Sequence, residues 1–157
     1  MKHFYKIIIL FFLFTFLNSC GYVPVNSQDK TNFYISEINF NGSRTINNHI
    51  NLELKKYRNY KKDIKSYQID ITSAYNKVVT NKDDQGDPKN YNLIIITDIK
   101  TVSDVGKEMN KTFKRIISVS AKKTKITEIN EEKKYKKKLA SLIGKDIIFF
   151  LQAIDKW

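Results

Sequence analysis

The chain has 157 residues, of which 41% are hydrophobic, and its formal net charge is +12. This length supports one domain with a single packed core. One cysteine excludes an intramolecular disulfide and a thiolate metal cage, and two histidines are too few for a three-histidine zinc site. Because the sequence has no glycine-rich phosphate loop, cysteine-pair metal motif or nucleophile elbow, we predict a non-enzymatic protein that needs no cofactor.

The basic charge has two explanations that the sequence leaves open. An acidic partner such as nucleic acid, anionic lipid or a phosphorylated glycan would account for it. However, only 3 of the 28 basic residues are Arg, and the chain is rich in Lys, Ile and Asn, whose codons are rich in A and T. A biased genome composition would therefore account for the charge equally well.

Residues 1–17 have the pattern of a secretory signal. A basic start, MKHFYK, precedes the apolar run IIILFFLFTFL. This run is too short for a bilayer-spanning helix, which needs about 20 residues. It ends in Leu17, Asn18, Ser19 and Cys20, which resembles the cleavage site of bacterial lipoprotein signals, although Asn18 departs from the small or hydroxylated residue usual there.

This resemblance implies that the chain is lipidated. A peptidase would remove the signal peptide, residues 1–19, and Cys20 would carry acyl chains such as palmitate. Two or more acyl chains hold a protein stably on a membrane without spanning it. Gly21, rather than Asp, follows the cysteine, which by the same resemblance points to the periplasmic side of the outer membrane. Residues 20–32 are then a lipidated tether, and residues 33–157 a single α+β domain.

The domain is predicted to begin with a strand and a helix. Residues 33–40 are rich in β-branched and aromatic residues, but their alternation slips, so we predict a β-bulge near Ser36 and Glu37. Residues 45–58 are predicted to form a helix with Thr45 as its N-cap. Its apolar residues recur at spacings of 4, 4 and 3, which places them on one stripe: Ile46, Ile50, Leu54 and Tyr57. His49 and Glu53 lie off this stripe and are predicted to face solvent.

Alternating patterns predict three further strands at residues 66–79, 91–102 and 111–127, joined by polar turns. The middle strand is apolar on both faces, because Ile94 and Ile96 oppose its other apolar residues. This indicates a central strand or an outer face that meets a partner.

A wide apolar stripe predicts a long helix over residues 131–155, with Asn130 as its cap and Glu131 and Glu132 compensating the helix dipole. Gly144 interrupts this helix and is expected to allow close packing. The order of elements, β-α-β-β-β-α, predicts a four-stranded, mostly antiparallel sheet with two helices packed on one face.

Two charged segments are candidate sites. The segment from Asp83 to Asp87 lacks the residue spacing of a calcium loop and is predicted to be a hairpin turn. Residues 133–138 contain five lysines, which form either a solvated face with snorkelling stems or a contact with anionic lipid or phosphate.

Several features together resemble one family, the LPS-assembly lipoproteins called LptE. They are the lipoprotein cleavage site, the segment Cys20-Gly21-Tyr22-Val23-Pro24 directly after it, the order of elements and the mature size. The resemblance covers essentially the whole mature chain. It implies a protein that plugs and helps to assemble LptD, a large outer-membrane β-barrel. It also implies non-covalent binding of lipopolysaccharide and assistance in its delivery to the outer leaflet.

Lipopolysaccharide is an amphiphilic polyanion, so its binding requires cations beside apolar surface. Strand position alone suggests Lys77, Lys114 and Arg115 as contacts. Because the protein is exported, we expect no nucleic-acid partner. Two alternatives are a structural or adhesion lipoprotein without a transport role and a lipid-anchored inhibitor. An apolar outer face on residues 91–102 would favour the plug, because a free-standing domain should keep such a face covered.

Overall fold

The computed structural model of the protein describes residues 32–59 and 62–154. The predicted signal peptide, Cys20 and all of the predicted tether except its last residue lie outside these residues. Four strands and two α-helices follow in order: β1 (Phe33–Gly42), α1 (Arg44–Leu54), β2 (Lys65–Lys82), β3 (Pro88–Ser103), β4 (Glu108–Ser120) and α2 (Lys125–Ile154). A short 3₁₀ helix, Lys55–Tyr57, extends α1.

The four strands form one sheet in the order β1-β2-β3-β4. The β2–β3 and β3–β4 pairs are antiparallel, whereas β1 and β2 are parallel. The parallel pair follows from the helical crossover between its strands, because a hairpin can join only antiparallel strands. The predicted α+β fold with a mostly antiparallel sheet is therefore confirmed, and β3 is a central strand.

The predicted bulge in β1 is present. The register with β2 shifts between Ile35 and Glu37. This shift puts Phe33 and Ile35 on the same face of the sheet as Ile38 and Phe40. In a regular strand, these odd-numbered and even-numbered residues would lie on opposite faces. The extra residue thereby repairs the slipped alternation of the strand.

Both helices pack on one face of the sheet and enclose the core with it. The core is a single cluster of buried side chains from β1, β2, β3 and both helices. Its largest fully buried members include Phe33, Ile50, Ile71, Ile95 and Ile147.

The boundary between β4 and α2 differs from the prediction. The ladder with β3 ends at the pair Asn90–Ser120, so β4 stops there, seven residues before the predicted end of the strand at residue 127. The helix begins at Lys125, because Thr124 caps it: its hydroxyl accepts a hydrogen bond from the backbone N–H of Thr127. The predicted cap, Asn130, was wrong and lies inside the helix.

The N-cap of α1 and the exposure of two of its polar side chains also differ from the prediction. Ser43, not Thr45, occupies the N-cap position, and its side chain makes no capping hydrogen bond. Glu53 accepts a hydrogen bond from Ser141 of α2, and the Nδ1 atom of His49 is buried. Glu53 and His49 are only partly exposed, because α2 packs across this side of α1.

Candidate functional site

The face of the sheet opposite to the helices is the candidate functional site. Along β2, alternate residues from Gln68 to Val78 are exposed, whereas the residues between them on the helix side are buried or half-buried. We call this exposed side the open face. Within residues 32–59 and 62–154, neither helix covers this face.

An apolar patch lies on this open face across the three antiparallel strands. The register aligns Ala74 with Ile96 in one row and Asn76, Ile94 and Ile116 in the next. Val78 lies one row further along, and Ile116 and Val78 are 49% and 47% exposed. We define the apolar patch as Ala74, Val78, Ile94, Ile96 and Ile116. The structure thus confirms that the outer side of β3 carries apolar residues.

The neighbouring rows of the open face are polar and internally hydrogen-bonded. The hydroxyl of Thr112 donates to the carboxylate of Asp98, and the side-chain amide of Asn39 donates to Asp70 over 3.0 Å. A shallow depression of about 230 Å³ lies here, bounded by residues that include Asp98, Lys100 and Thr112. The open face therefore has an apolar half and a polar half. No motif in the sequence predicts a site at this polar half, although the alternation along the strands places its residues on one face.

Lys114 is the only one of the three predicted lipopolysaccharide contacts that lies on the open face. It pairs in register with Ile96 and is therefore adjacent to the apolar patch. Its side chain is exposed, and among the described residues it takes part in no ion pair. Lys77 and Arg115 lie on the helix side, so the structure does not bring the three residues together.

Lys77 is held between β2 and the first turns of α2. Its Nζ lies 2.5 Å from Glu128 and 3.1 Å from Glu132, and 4.2 Å from the centroid of the Tyr91 ring. Burial lowers the pKa of Lys77, but the hydrogen bonds to the two carboxylates outweigh it, and the pKa is raised overall.

Glu132 is the centre of this charged cluster. It also accepts from Lys136, whose Nζ lies 2.7 Å from it and 3.8 Å from the centroid of the Tyr75 ring. Burial raises the pKa of Glu132, but the hydrogen bonds from Lys136 and Lys77 dominate and lower it to about 2. Burial, followed by the nearby Glu132 carboxylate, raises the pKa of the Tyr75 hydroxyl. Glu132 therefore connects the sheet to α2 and does not merely compensate a helix dipole.

Arg115 forms a second connection between the sheet and α2. Its Nε and Nη2 donate to the Asp146 carboxylate over 2.8 and 2.6 Å, which is a two-pronged ion pair. Like Lys77, Arg115 has its charge balanced within the domain.

The described residues contain no cluster of three or more His, Cys, Asp or Glu side chains able to hold a metal ion. Within the same residues, no helix is long and apolar enough to cross a bilayer. The open face thus combines an apolar half, a polar half and an exposed cation, Lys114, beside the apolar patch.

Several solved bacterial lipoproteins have a similar fold. Rare lipoprotein B from Shewanella oneidensis superposes with a TM-score of 0.60 at 9% sequence identity, covering 76% of this chain and 96% of that one. Lipoprotein B from Nitrosomonas europaea gives a TM-score of 0.55 at 12% identity, with 80% and 88% covered. A minor lipoprotein from Acinetobacter baumannii gives 0.52 at 10% identity, with 75% and 91% covered.

Neither a protein-family model nor a curated protein sequence matches the chain. At these low identities the likeness is one of fold. The domain thus has the fold of a group of bacterial lipoproteins, which agrees with the lipoprotein signal predicted from the N-terminal residues.

Proposed function

We propose that this protein is an outer-membrane lipoprotein that plugs and helps to assemble the LptD β-barrel and assists the delivery of lipopolysaccharide to the outer leaflet. Two independent observations support the proposal. The first is the Cys20 signal with its following Gly-Tyr-Val-Pro segment. The second is the fold shared with rare lipoprotein B and with other bacterial lipoproteins.

The observation that carries the proposal is the apolar patch on the open face. A sheet with helices on one side ordinarily presents polar residues to solvent on the other side. Here Ile94, Ile96 and Ile116 are adjacent on the outer side of the antiparallel strands. Contiguous exposed apolar surface indicates a contact with a protein or a lipid. The wall of a barrel and the acyl region of a glycolipid are both suitable occupants.

Lys114 supports the lipopolysaccharide part of the proposal. Its exposed ammonium group lies next to the apolar patch, so an acyl chain and an anionic group of one ligand could be contacted together. Lys77 and Arg115 are weaker choices, because a ligand would first have to displace Glu128, Glu132 or Asp146. The proposal therefore assigns the contact to Lys114 and the apolar patch.

A tagged pull-down from detergent-solubilised outer membranes tests the barrel partner. We expect one large β-barrel to co-purify in about equal amount, identified by mass spectrometry. Ile116→Glu should greatly reduce its recovery, because it places a charge in the apolar patch. Val105→Glu is the matched control, because Val105 is an exposed apolar residue at the β3–β4 turn, outside the patch. Recovery of no barrel with abundant folded protein would instead favour a structural or adhesion lipoprotein.

Binding of purified lipopolysaccharide tests the second part. We expect binding that weakens as salt increases, because its charged contacts are screened. Lys114→Gln should lower the affinity, whereas Lys82→Gln, at the far end of β2, should not. Binding that ignores ionic strength, or equal effects of the two variants, would contradict a site at Lys114.

A further inference from the structure

The side of α2 that faces away from the sheet carries an excess of positive charge. The proposed contacts of the open face do not involve these charges. All four carboxylates of the helix take part in ion pairs: Glu128, Glu131, Glu132 and Asp146. Their partners lie on the sheet, before the helix or on the helix itself. Five helix lysines are exposed and, among the described residues, form no ion pair: Lys133, Lys134, Lys137, Lys138 and Lys145.

Three of these lysines lie on one stripe with two exposed apolar residues. Lys134, Lys138, Leu142, Lys145 and Phe149 are separated by 4, 4, 3 and 4 positions, so their side chains follow one line along the helix. Phe149 is 49% exposed and Leu142 is 36% exposed. We call these five residues the basic stripe. It extends over about 22 Å at 1.5 Å per residue.

The composition of the basic stripe matches the surface of an anionic bilayer. Lysine ammonium groups bind lipid phosphates, while an aromatic ring and a leucine between them can enter the boundary between headgroups and acyl chains. A purely solvated face would not need Phe149 and Leu142 to be exposed beside the lysines. A phosphate-binding pocket would need converging groups, whereas these residues lie along a straight line.

We infer that the basic stripe of α2 docks reversibly on a bilayer of anionic phospholipids, as a second membrane contact in addition to the acyl chains. The predicted acylation of Cys20 makes a membrane the nearest large anionic surface. Stable membrane attachment commonly combines an acyl anchor with a basic patch. A plug inside a barrel cannot reach the bilayer, so this contact belongs to the protein before it joins a barrel. Because the helices cover the other side of the sheet, the contact would leave the open face turned away from the bilayer.

Binding to a bilayer through the basic stripe requires neither a barrel partner nor the acyl chains, so it can be measured on the protein without acylation. The mature chain, residues 20–157, is prepared with Cys20→Ser so that acyl chains do not dominate binding. Its partition is measured by co-sedimentation with two kinds of vesicle, one of phosphatidylcholine alone and one in which a third of the lipid is phosphatidylglycerol. We expect at least about tenfold stronger binding to the anionic vesicles, lost at high salt, since each lysine near an anionic surface contributes a factor of about five.

Matched triple variants test whether the basic stripe is responsible. Replacing Lys134, Lys138 and Lys145 by Gln should lower binding at least about tenfold. Replacing Lys82, Lys89 and Lys111 by Gln removes the same charge from exposed positions on the strands and should change binding by less than about twofold. Circular dichroism checks that both variants fold. Equal losses in the two variants would mean that net charge alone attracts the vesicles, and the inference would be wrong.

Two further measurements separate a bilayer from other partners. Phe149→Ser should weaken binding to anionic vesicles several-fold while leaving the charge unchanged, because it removes the inserted ring. Inorganic phosphate should compete no better than chloride at equal ionic strength. Equal binding to both kinds of vesicle, no effect of Phe149→Ser, or selective displacement by phosphate would each overturn the inference.

Discussion

Gly144 of α2 and Glu53 of α1 are in direct contact where the two helices cross. A Cβ atom at position 144 would lie 2.8 Å from the Cβ of Glu53 and 3.0 Å from its Cγ. One turn earlier in α2, the hydroxyl of Ser141 donates to the Glu53 carboxylate. The glycine thus permits a close approach of the helices that a hydrogen bond then holds.

We predict that Gly144→Ala destabilises the domain, although alanine favours a helix by about 1 kcal/mol over glycine. The added methyl group meets the Cβ of Glu53, which is fixed to the backbone of α1 and cannot swing away. Overpacking of this kind costs about 1–3 kcal/mol, so we expect a net loss of about 1 kcal/mol in the free energy of unfolding. Urea denaturation measures it.

A double-mutant cycle supplies the control for this prediction. Glu53→Gly removes the opposing Cβ, so Gly144→Ala should be stabilising in that background because only the helix preference remains. If Gly144→Ala has the same effect with and without Glu53, the contact between the two positions does not limit the packing of α1 against α2.

We predict a larger loss of stability from Gly42→Ala than from Gly86→Ala. Both glycines have positive φ angles, +85° and +87°, so both substitutions carry a backbone cost of about 1 kcal/mol. Only at Gly42 would the new Cβ also meet the backbone, 2.1 Å from the carbonyl oxygen of Ser73. We expect Gly42→Ala to cost about 3 kcal/mol or more. Similar unfolding midpoints for the two variants would show that φ alone matters.

We predict that the Lys77–Glu132 cluster makes stability fall in acid. The pKa of Glu132 in the folded protein is about 2, below its ordinary value of 4.5, and that of Glu128 is also lowered. Their contribution is therefore fully present above about pH 4.5 and is lost as the pH falls toward 2. Glu132→Gln should lower stability at pH 7 by about 1–2 kcal/mol and flatten the dependence on pH in this range.

Thermal melting at a series of pH values from 7 to 2.5 measures this effect, because the series crosses the pH at which the loss of stability is expected to begin. Glu108→Gln is the control, because the ion pair of Glu108 with Lys100 is about half exposed on the open face. It should leave the acid dependence close to that of the parent. An unchanged acid dependence in Glu132→Gln would mean that other carboxylates govern acid unfolding.

We predict that Cys20→Ala abolishes acylation and releases the protein from membranes. Cys20 is the only cysteine of the chain, so no second thiol can accept the diacylglyceryl group. Labelling of cells with palmitate and fractionation of their membranes test this. Ser27→Ala, also in the predicted tether, should retain both the label and the membrane location. Acyl labelling of Cys20→Ala would contradict the anchor.

The sequence predicted those parts of the fold that depend on local patterns. The slipped alternation around Ser36 and Glu37 indicated the bulge, and the parity of Ile94 and Ile96 indicated an apolar outer face. Both patterns reflect which face of a strand a side chain occupies, and that information lies within a few neighbouring residues.

The beginning of α2 and the roles of the charged residues could not be predicted in this way. The strand is predicted to continue to residue 127, but β4 ends at Ser120, and only the hydrogen bond from the Ala121 N–H to the Lys89 carbonyl follows it along β3. Strand position suggests Lys77 as a ligand contact, yet its partners Glu128 and Glu132 lie more than 50 positions away in the sequence. Such pairs form only when the helix packs on the sheet, and no short pattern contains them.

The parallel pairing of β1 with β2 has a consequence for a chain that is exported with its N-terminus first. In the sheet, β1 pairs with β2, and 22 residues separate the end of β1 from the start of β2. While the chain emerges, the aromatic and β-branched residues of β1 therefore have no partner strand, unlike β2–β4, which are joined by short hairpins.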